Sequence, residues 1–293
     1  MSILSYIKSM NINRIATDDH IFLKGLRNIA NYPKSLYLIG RLPKESRPTV
    51  AIVGTRKPSP YGREVARRLA YDLAKQGIVV VSGLAIGIDT VVHQAALEAG
   101  GTTIAVLAGG LNSIHPSSNR QLAIDIVTHD GALLSEYEVG FAPHKWQFVA
   151  RNRLESGMSN GVLVIEAAAK SGTIHTATFA RRQAKAVMAV PGNITSPMSE
   201  GANALIKRGA LAVTEAKDVL RAIKAKPLRQ TALTFDAPAE QRVILLLLAA
   251  GVQTQDDLQA QSNLEPALFN QALTLLELSG KIRQISGTHW ALA

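Results

Sequence analysis

The chain contains no cysteine in its 293 residues. That absence excludes disulfides, cysteine metal sites and cysteine nucleophiles, and it fits a cytoplasmic protein. Long apolar runs are missing as well: none approaches the roughly 20 residues of a membrane span, so no membrane association is expected. Met1–Lys8 shows no charged leader, apolar stretch or small-residue cleavage site, so no signal peptide is expected. The common nucleotide signatures are also absent. No G-x-x-x-x-G-K-[ST] loop occurs, and the first βα turn, Gly54-Thr-Arg-Lys-Pro-Ser-Pro-Tyr-Gly62, lacks the second and third glycines of a dinucleotide site. His115, His144 and His175 have no ligand spacing, so neither a metal nor another cofactor is expected. Acids are scarce: 22 Asp and Glu stand against 32 Lys and Arg, for a net charge of +10. Such a balance favours a polyanionic partner, most often nucleic acid.

The charge is uneven. Residues 141–190 hold Lys145, Arg151, Arg153, Lys170, Arg181, Arg182 and Lys185 against only Glu155 and Glu166. Residues 238–293 hold Arg242, Lys281 and Arg283 against Glu240, Asp256, Asp257, Glu265 and Glu277. The cationic part is therefore the body of the chain and not its tail.

That body is organised around residues 50–93. Val50-Ala-Ile-Val is a short apolar run stopped by Gly54-Thr-Arg56. Val65, Leu69 and Leu73 then recur at helical spacing, and Gly77 is placed to end the helix. Ile78-Val-Val-Val leads into a second glycine loop at Ser82-Gly83. Two fully apolar strands joined by a helix imply a parallel sheet covered on both faces. In such sheets ligands bind outside the carboxyl ends of the strands. The pattern repeats. Further strands are predicted at 102–107, 132–136, 162–166, 186–190 and 210–213, with helices at about 89–99, 118–127, 173–183 and 202–207. Leu36–Gly40 reads as an edge strand, and residues 1–20 have weak periodicity. Residues 224–239 mix Pro, Thr and charges as a linker. Beyond it a helix at 241–250, a second begun by Thr254, a third capped by Asn263 and a hairpin at 281–292 suggest a winged helix. The expected architecture is α/β: an extended Rossmann-like, doubly wound, mostly parallel sheet with a small C-terminal winged-helix domain. Its expected parts are a short N-terminal extension (1–48), the Rossmann-like domain (49–223), the linker (224–239) and the winged helix (240–293).

The strand ends carry Gly54 and Arg56, Ser82 and Gly83, Gly109 and Gly110, and Lys170 with Ser171 and Gly172. Free backbone N–H groups beside Arg and Lys suit phosphates. In Lys145-Trp-Gln-Phe148-Val-Ala-Arg151-Asn-Arg153 basic side chains interleave with aromatics, which suits a single strand: cations follow phosphates while a ring stacks on a base. The competing reading makes the aromatics core and pairs an arginine with Glu136 or Glu166. Asp89 and His93, at i and i+4, read either as an acid–base pair or, with more weight, as an N-terminal acid and a histidine one turn on.

Taken together, Val53-Gly-Thr-Arg56, Ser82-Gly-Leu-Ala-x-Gly-Ile-Asp-x-x-x-His93, Ser135-Glu136, Phe148-x-x-Arg-Asn-Arg153, Glu166-Ala-x-x-x-Ser-Gly-Thr173 and Pro191-Gly192 resemble the DprA/Smf family of DNA-processing proteins, motif after motif over about residues 21–215. The resemblance implies a non-enzymatic single-stranded DNA-binding protein that protects incoming DNA in natural transformation, helps load the recombinase RecA and acts as a homodimer. Carried over residue by residue, its DNA contacts fall on Arg56, Lys145, Phe148 and Lys170. Thr55 stands where serine is usual and His115-Pro116 where Tyr-Pro is common, and the N-terminal helical domain of many members is expected to be missing or reduced to Met1–His20. The alternative is a LOG-like nucleotide phosphoribohydrolase, whose core also places glycines and a glutamate at this edge. Its Pro-Gly-Gly-x-Gly-Thr-x-x-Glu motif has no counterpart here.

Overall fold

Thr49 to Val53 are all buried, and their apolar side chains cover both faces of one strand, so this strand has to lie inside the sheet. The computed structural model describes residues 11–225, 237–249 and 252–292. The chain divides into two units, residues 1–227 and 228–293. In the first unit β3 (Thr49–Val53) is central. On one side lie β4 (Val79–Ser82), β5 (Thr103–Leu107) and β6 (Ala132–Ser135). On the other lie β7 (Gly161–Val164), β8 (Ala186–Ala189) and β9 (Leu211–Ala212). All of these pairings are parallel. The connecting helices are α1 (Pro60–Lys75), α2 (Ile88–Glu98), α3 (Arg120–Thr128), α4 (Lys145–Met158), α5 (Thr173–Arg182), α6 (Glu200–Lys207) and α7 (Ala216–Ala222). This is the doubly wound, Rossmann-like sheet expected from the apolar runs. Strands add outward in opposite directions from β3 and β7, which makes that pair the switch point.

The pleat divides the core. Ala51, Val53, Val79 and Val81 face one apolar cluster, while Val50, Ile52 and Val80 face another on the opposite side. Each fully buried Val or Ile contributes about 1.5–3 kcal/mol relative to exposure, so a one-residue slip of β3 would disturb both layers at once.

Two expectations are corrected at the N-terminal side. Leu36–Gly40 lies in β2 (Ser35–Gly40), which is not the edge. It pairs antiparallel with β6 and, on its other side, with β1 (Asn13–Ala16). The four β1 residues are exposed or half-buried, so no apolar pattern announced the strand. β1 and β2 thus belong to the same nine-stranded sheet as β3, and residue 48 is not a boundary of it.

Helix α1 starts as its sequence directs. Ser59 is the N-cap and accepts from Gly62 N at 3.0 Å, with Pro60 at the first helical position. The helix ends before Gly77, whose φ of +76° only glycine adopts freely.

In the second unit α8 (Ala239–Ala249), α9 (Gln255–Ser262) and α10 (Pro266–Leu278) pack with the hairpin β10 (Ile282–Ser286) and β11 (His289–Leu292), a winged-helix arrangement. A bridge between Thr254 and His289 ties the start of α9 to the hairpin. Asn263 does not cap the third helix as expected. It ends α9 in the left-handed conformation, and α10 opens on Glu265 and Pro266. Most of the expected linker, residues 226–236, and the first ten residues lie outside the described residues.

Candidate nucleic-acid interface

The carboxyl end of β3 and the segment that leads from β7 into α5 border a cavity of about 640 Å³. One wall is the β3 turn with Gly54, Thr55, Arg56 and Lys57. A second is the start of α5 with Ser171, Gly172 and Thr173. The third is α4, which contributes Lys145, Phe148, Val149 and Asn152. A ligand site at a switch point of an open α/β sheet is where this fold places one.

The structure brings together most of the residues singled out from sequence. The Arg56 guanidinium lies 5.4 Å from the centre of the Phe148 ring, a cation–π contact. Arg56, Lys57 and Lys145 are exposed, and none has a carboxylate partner among the described residues. Gly54 is required by packing: a Cβ there would meet Ile88 Cγ1 at 2.5 Å. Lys170 is exposed and lies beside Ser171, outside the cavity wall. Lys57 was not singled out, although it directly follows Arg56 and carries the same charge.

Four candidates turn out to be scaffold. Arg151 is 5% exposed. Its Nη1 donates to Gly83 O at 2.8 Å and to Val106 O, and its Nε lies 3.0 Å from Glu155 Oε1. The guanidinium therefore joins the ends of β4 and β5 to α4 at the floor of the cavity. Gly83 is glycine because a Cβ would collide with that guanidinium. Ser82 is buried, and its hydroxyl donates to Ile52 O at 2.8 Å. Arg153 is ion-paired with Glu136 on a half-buried flank of α4, the alternative weighed from sequence. Trp146 is the opposite case, since it is 62% exposed and is not core.

The floor of the cavity is a buried ionic group of Asp89, Arg151 and Glu155. Burial pushes the Asp89 carboxyl up, opposed by the Arg151 guanidinium and by the amides of Ala85 and Gly83. Burial likewise pushes Glu155 up, to about 7, with Arg151 pulling it down and Asp89 adding to the rise. His93 does not pair with Asp89. Its Nδ1 lies 2.7 Å from Thr103 Oγ1, whose proton is committed to Val80 O at 2.9 Å. Nδ1 is therefore the protonated nitrogen. Burial, and secondarily Arg151, lower the imidazole to about 3. Glu166 is also committed: Ser59 donates to it from both N at 2.9 Å and Oγ at 2.6 Å. That carboxylate holds the start of α1.

His93 and Glu155 oppose each other in acid. His93 falls from 6.5 to about 3, so the unfolded chain binds the extra proton, and its stabilisation is full above 6.5 and fades as pH falls. Glu155 rises from 4.5 to about 7, so its contribution is full below 4.5 and is lost as pH rises through 7. Between 4.5 and 6.5 the two slopes have opposite sign. Glu155→Gln removes one of them, so its unfolding free energy is expected to climb with pH across that window more steeply than the wild type's. Urea melts at a series of pH values measure this, and parallel profiles would contradict it.

The chain matches the family described as DNA recombination-mediator protein A over residues 13–224, and the DprA winged helix domain over residues 225–288. It is 42% identical to Protein Smf of Escherichia coli over 219 residues, covering 75% of this chain and 59% of that protein. It is 37% identical to DNA processing protein DprA of Bacillus subtilis over 230 residues, covering 78% of this chain and 77% of that one. Among solved structures it is similar to DNA processing protein A of Streptococcus pneumoniae, with a TM-score of 0.67 at 35% identity over 75% of this chain and 78% of that one. It is also similar to that of Helicobacter pylori, with 0.65 at 32% identity over 74% and 97%. The structural work on the latter describes a unique single-stranded DNA binding mode.

Proposed function

The chain belongs to the DprA/Smf family of DNA recombination-mediator proteins, and from that membership we propose that its switch-point cavity binds single-stranded DNA without catalysing a reaction. The observation that carries the reading is the rim. Arg56, Lys57 and Lys145 converge there without carboxylate partners among the described residues, and the Phe148 ring forms part of the wall. Phosphates meet the cations and the Gly172 N–H at the start of α5, while a base stacks on the ring. Ser171 shapes that turn, its own N–H donating to Ala168 O at 3.1 Å and its hydroxyl accepting from Thr173 N at 3.2 Å, with Lys170 outside it as an accessory cation.

The non-enzymatic part rests on where the acids are. Glu166 is taken up by Ser59, and Asp89 and Glu155 lie in the buried group around Arg151. Asp89 and Glu155 face the cavity floor, but Asp89 accepts from Ala85 N and Glu155 is paired with Arg151, so neither has a free partner for acid–base work. Membership of a recombination-mediator family supports the further steps. The protein protects incoming single strands in natural transformation, passes them to the recombinase RecA, and acts in the cytoplasm as a homodimer. Among the described residues no helix is long and apolar enough to cross a membrane.

The test is a titration of one labelled oligonucleotide, single-stranded and as a duplex, at several salt concentrations. Single strands are expected to bind more tightly, because paired bases cannot offer a face to Phe148. Affinity should fall steeply with salt. Equal affinity for both forms would refute the reading.

The C-terminal unit is not the reader. A DNA-reading winged helix presents basic side chains on its third helix, and Pro266–Leu278 contains no Lys or Arg. Removing residues 226–293 is expected to leave single-strand affinity within a few-fold, measured by the same titration. A contact with another protein is the role left to this unit.

A further inference from the structure

We propose that the junction between β6 and α4 carries a second nucleobase site, an aromatic platform of Tyr137, Phe141 and Trp146 over which the strand runs once it leaves the cavity. The proposal rests on the single-strand reading above.

Tyr137 and Phe141 are stacked, with ring centres 5.4 Å apart and planes at 21°. Trp146 stands edge-on to Tyr137 at 6.3 Å and 82°. Aromatic rings are the side chains with most to gain from burial, yet Trp146 is 62% and Phe141 43% exposed. The loop that holds them is fixed. Gly110 N donates to Phe141 O at 2.9 Å, Gly140 N to Asn112 Oδ1 at 2.7 Å and Tyr137 N to Ser135 Oγ at 3.0 Å. The rings are thus held outward by a hydrogen-bonded frame.

Their occupant follows from position. Lys145 lines the cavity and Trp146 is the next residue. Val149 lines the cavity as well and lies one turn from Trp146 along α4. The platform is therefore continuous with the cavity wall. A cavity of about 640 Å³ has the size of a site for one small ligand, so a polymer seated in it must continue across the rim. The flanking charges allow it there. Lys145 is unpaired among the described residues, and Glu136 is neutralised by Arg153. Glu138, one residue after Tyr137, is an exposed acid in the same loop, and Lys145 balances it in charge. Rings without a matching set of hydrogen-bonding groups suit stacking on any base.

The chain has two tryptophans, and Trp290 is buried in the C-terminal unit. Full-length Trp290→Phe therefore reports on Trp146 alone. It is titrated with oligothymidylates of about 4 and about 16 nucleotides, the range of single-strand site sizes. The short oligonucleotide is expected to bind without quenching Trp146, and the long one to quench it. Trp146→Ala should weaken the long oligonucleotide about 5- to 150-fold, the equivalent of one stacked base, and leave the short one unchanged. Trp146→Phe should restore most of the loss. Binding of both lengths without quenching would leave the rings to another protein and overturn the platform. Equal quenching by both lengths, with both weakened by Trp146→Ala, would merge it with the first site and overturn it equally. Failure of either length to bind the otherwise native protein would overturn the single-strand reading itself.

Discussion

Arg151→Met is expected to destabilise the α/β unit by about 3–5 kcal/mol, because removing one member of a buried ionic group leaves its partners uncompensated. Glu155 is 1% and Asp89 7% exposed, and Arg151 is the cation that opposes their burial. Met fills much of the same volume, so a cavity does not dominate the loss. The carbonyls of Gly83 and Val106 also lose their donor, at about 1–3 kcal/mol for each polar group left buried without a partner. For a unit of this size 1 kcal/mol shifts Tm by about 2–4 °C, which puts the fall in the region of ~6–20 °C. The deficit has a definite pH dependence. Arg151 holds both carboxyls down, so its loss raises them further in the folded state. A raised carboxyl favours the folded state at low pH and loses that contribution as pH rises. The variant should therefore fall furthest behind wild type at alkaline pH and recover part of the difference in acid. Adding Glu155→Gln should recover part of it at neutral pH. Thermal melts at three pH values decide the matter. A variant that melts like wild type but fails to bind single strands would return Arg151 to the DNA surface, where its motif had first placed it.

That misplacement shows where the sequence was legible. The runs at 50–53, 79–82 and 103–107 are apolar on both faces, and nothing but a buried parallel sheet accommodates them. The functional edge followed from their carboxyl ends. Helix α4 was not legible as a helix. Its buried residues include Gln147, Arg151, Asn152, Glu155 and Ser156, so the apolar stripe that betrays most helices is missing. The same polar face made Phe148-Val-Ala-Arg-Asn-Arg153 look like a surface motif. At helical spacing, Lys145 and Phe148 line the cavity near its rim, while Arg151 and Glu155 pair one turn apart at its floor. A charge count registers all of these side chains alike. Separating exposed cations from buried ones required knowing which strand-end carbonyls lay within reach. Strand β1 was hidden for the opposite reason, since it is held by main-chain bonds to β2 and its side chains bury little.

Arg56→Ala and Phe148→Ala should both weaken single-strand binding, and the way they do so should differ. Each phosphate contact adds about 0.7 to the log–log slope of affinity against salt for single strands. Arg56→Ala removes one cation from the rim, so affinity should drop and the slope should flatten by about one such step. Lys145→Ala should do the same. Phe148→Ala removes a stacking face worth about 1–3 kcal/mol, roughly 5- to 150-fold in affinity, with no charge lost. The contact between Arg56 and the Phe148 ring complicates this separation in a measurable way. In the free protein the ring face under Arg56 is covered, so a base either uses the other face or displaces the guanidinium. If the ring also positions Arg56 for its phosphate, Phe148→Ala costs part of that contact, and the two substitutions together cost less than their sum. The double variant should accordingly fall short of additivity by about 0.5–1 kcal/mol, the strength of an exposed cation–π contact. Strict additivity would make ring and guanidinium independent contacts. An unchanged salt slope in both Arg56→Ala and Lys145→Ala, with native melting curves, would place the strand elsewhere on the molecule.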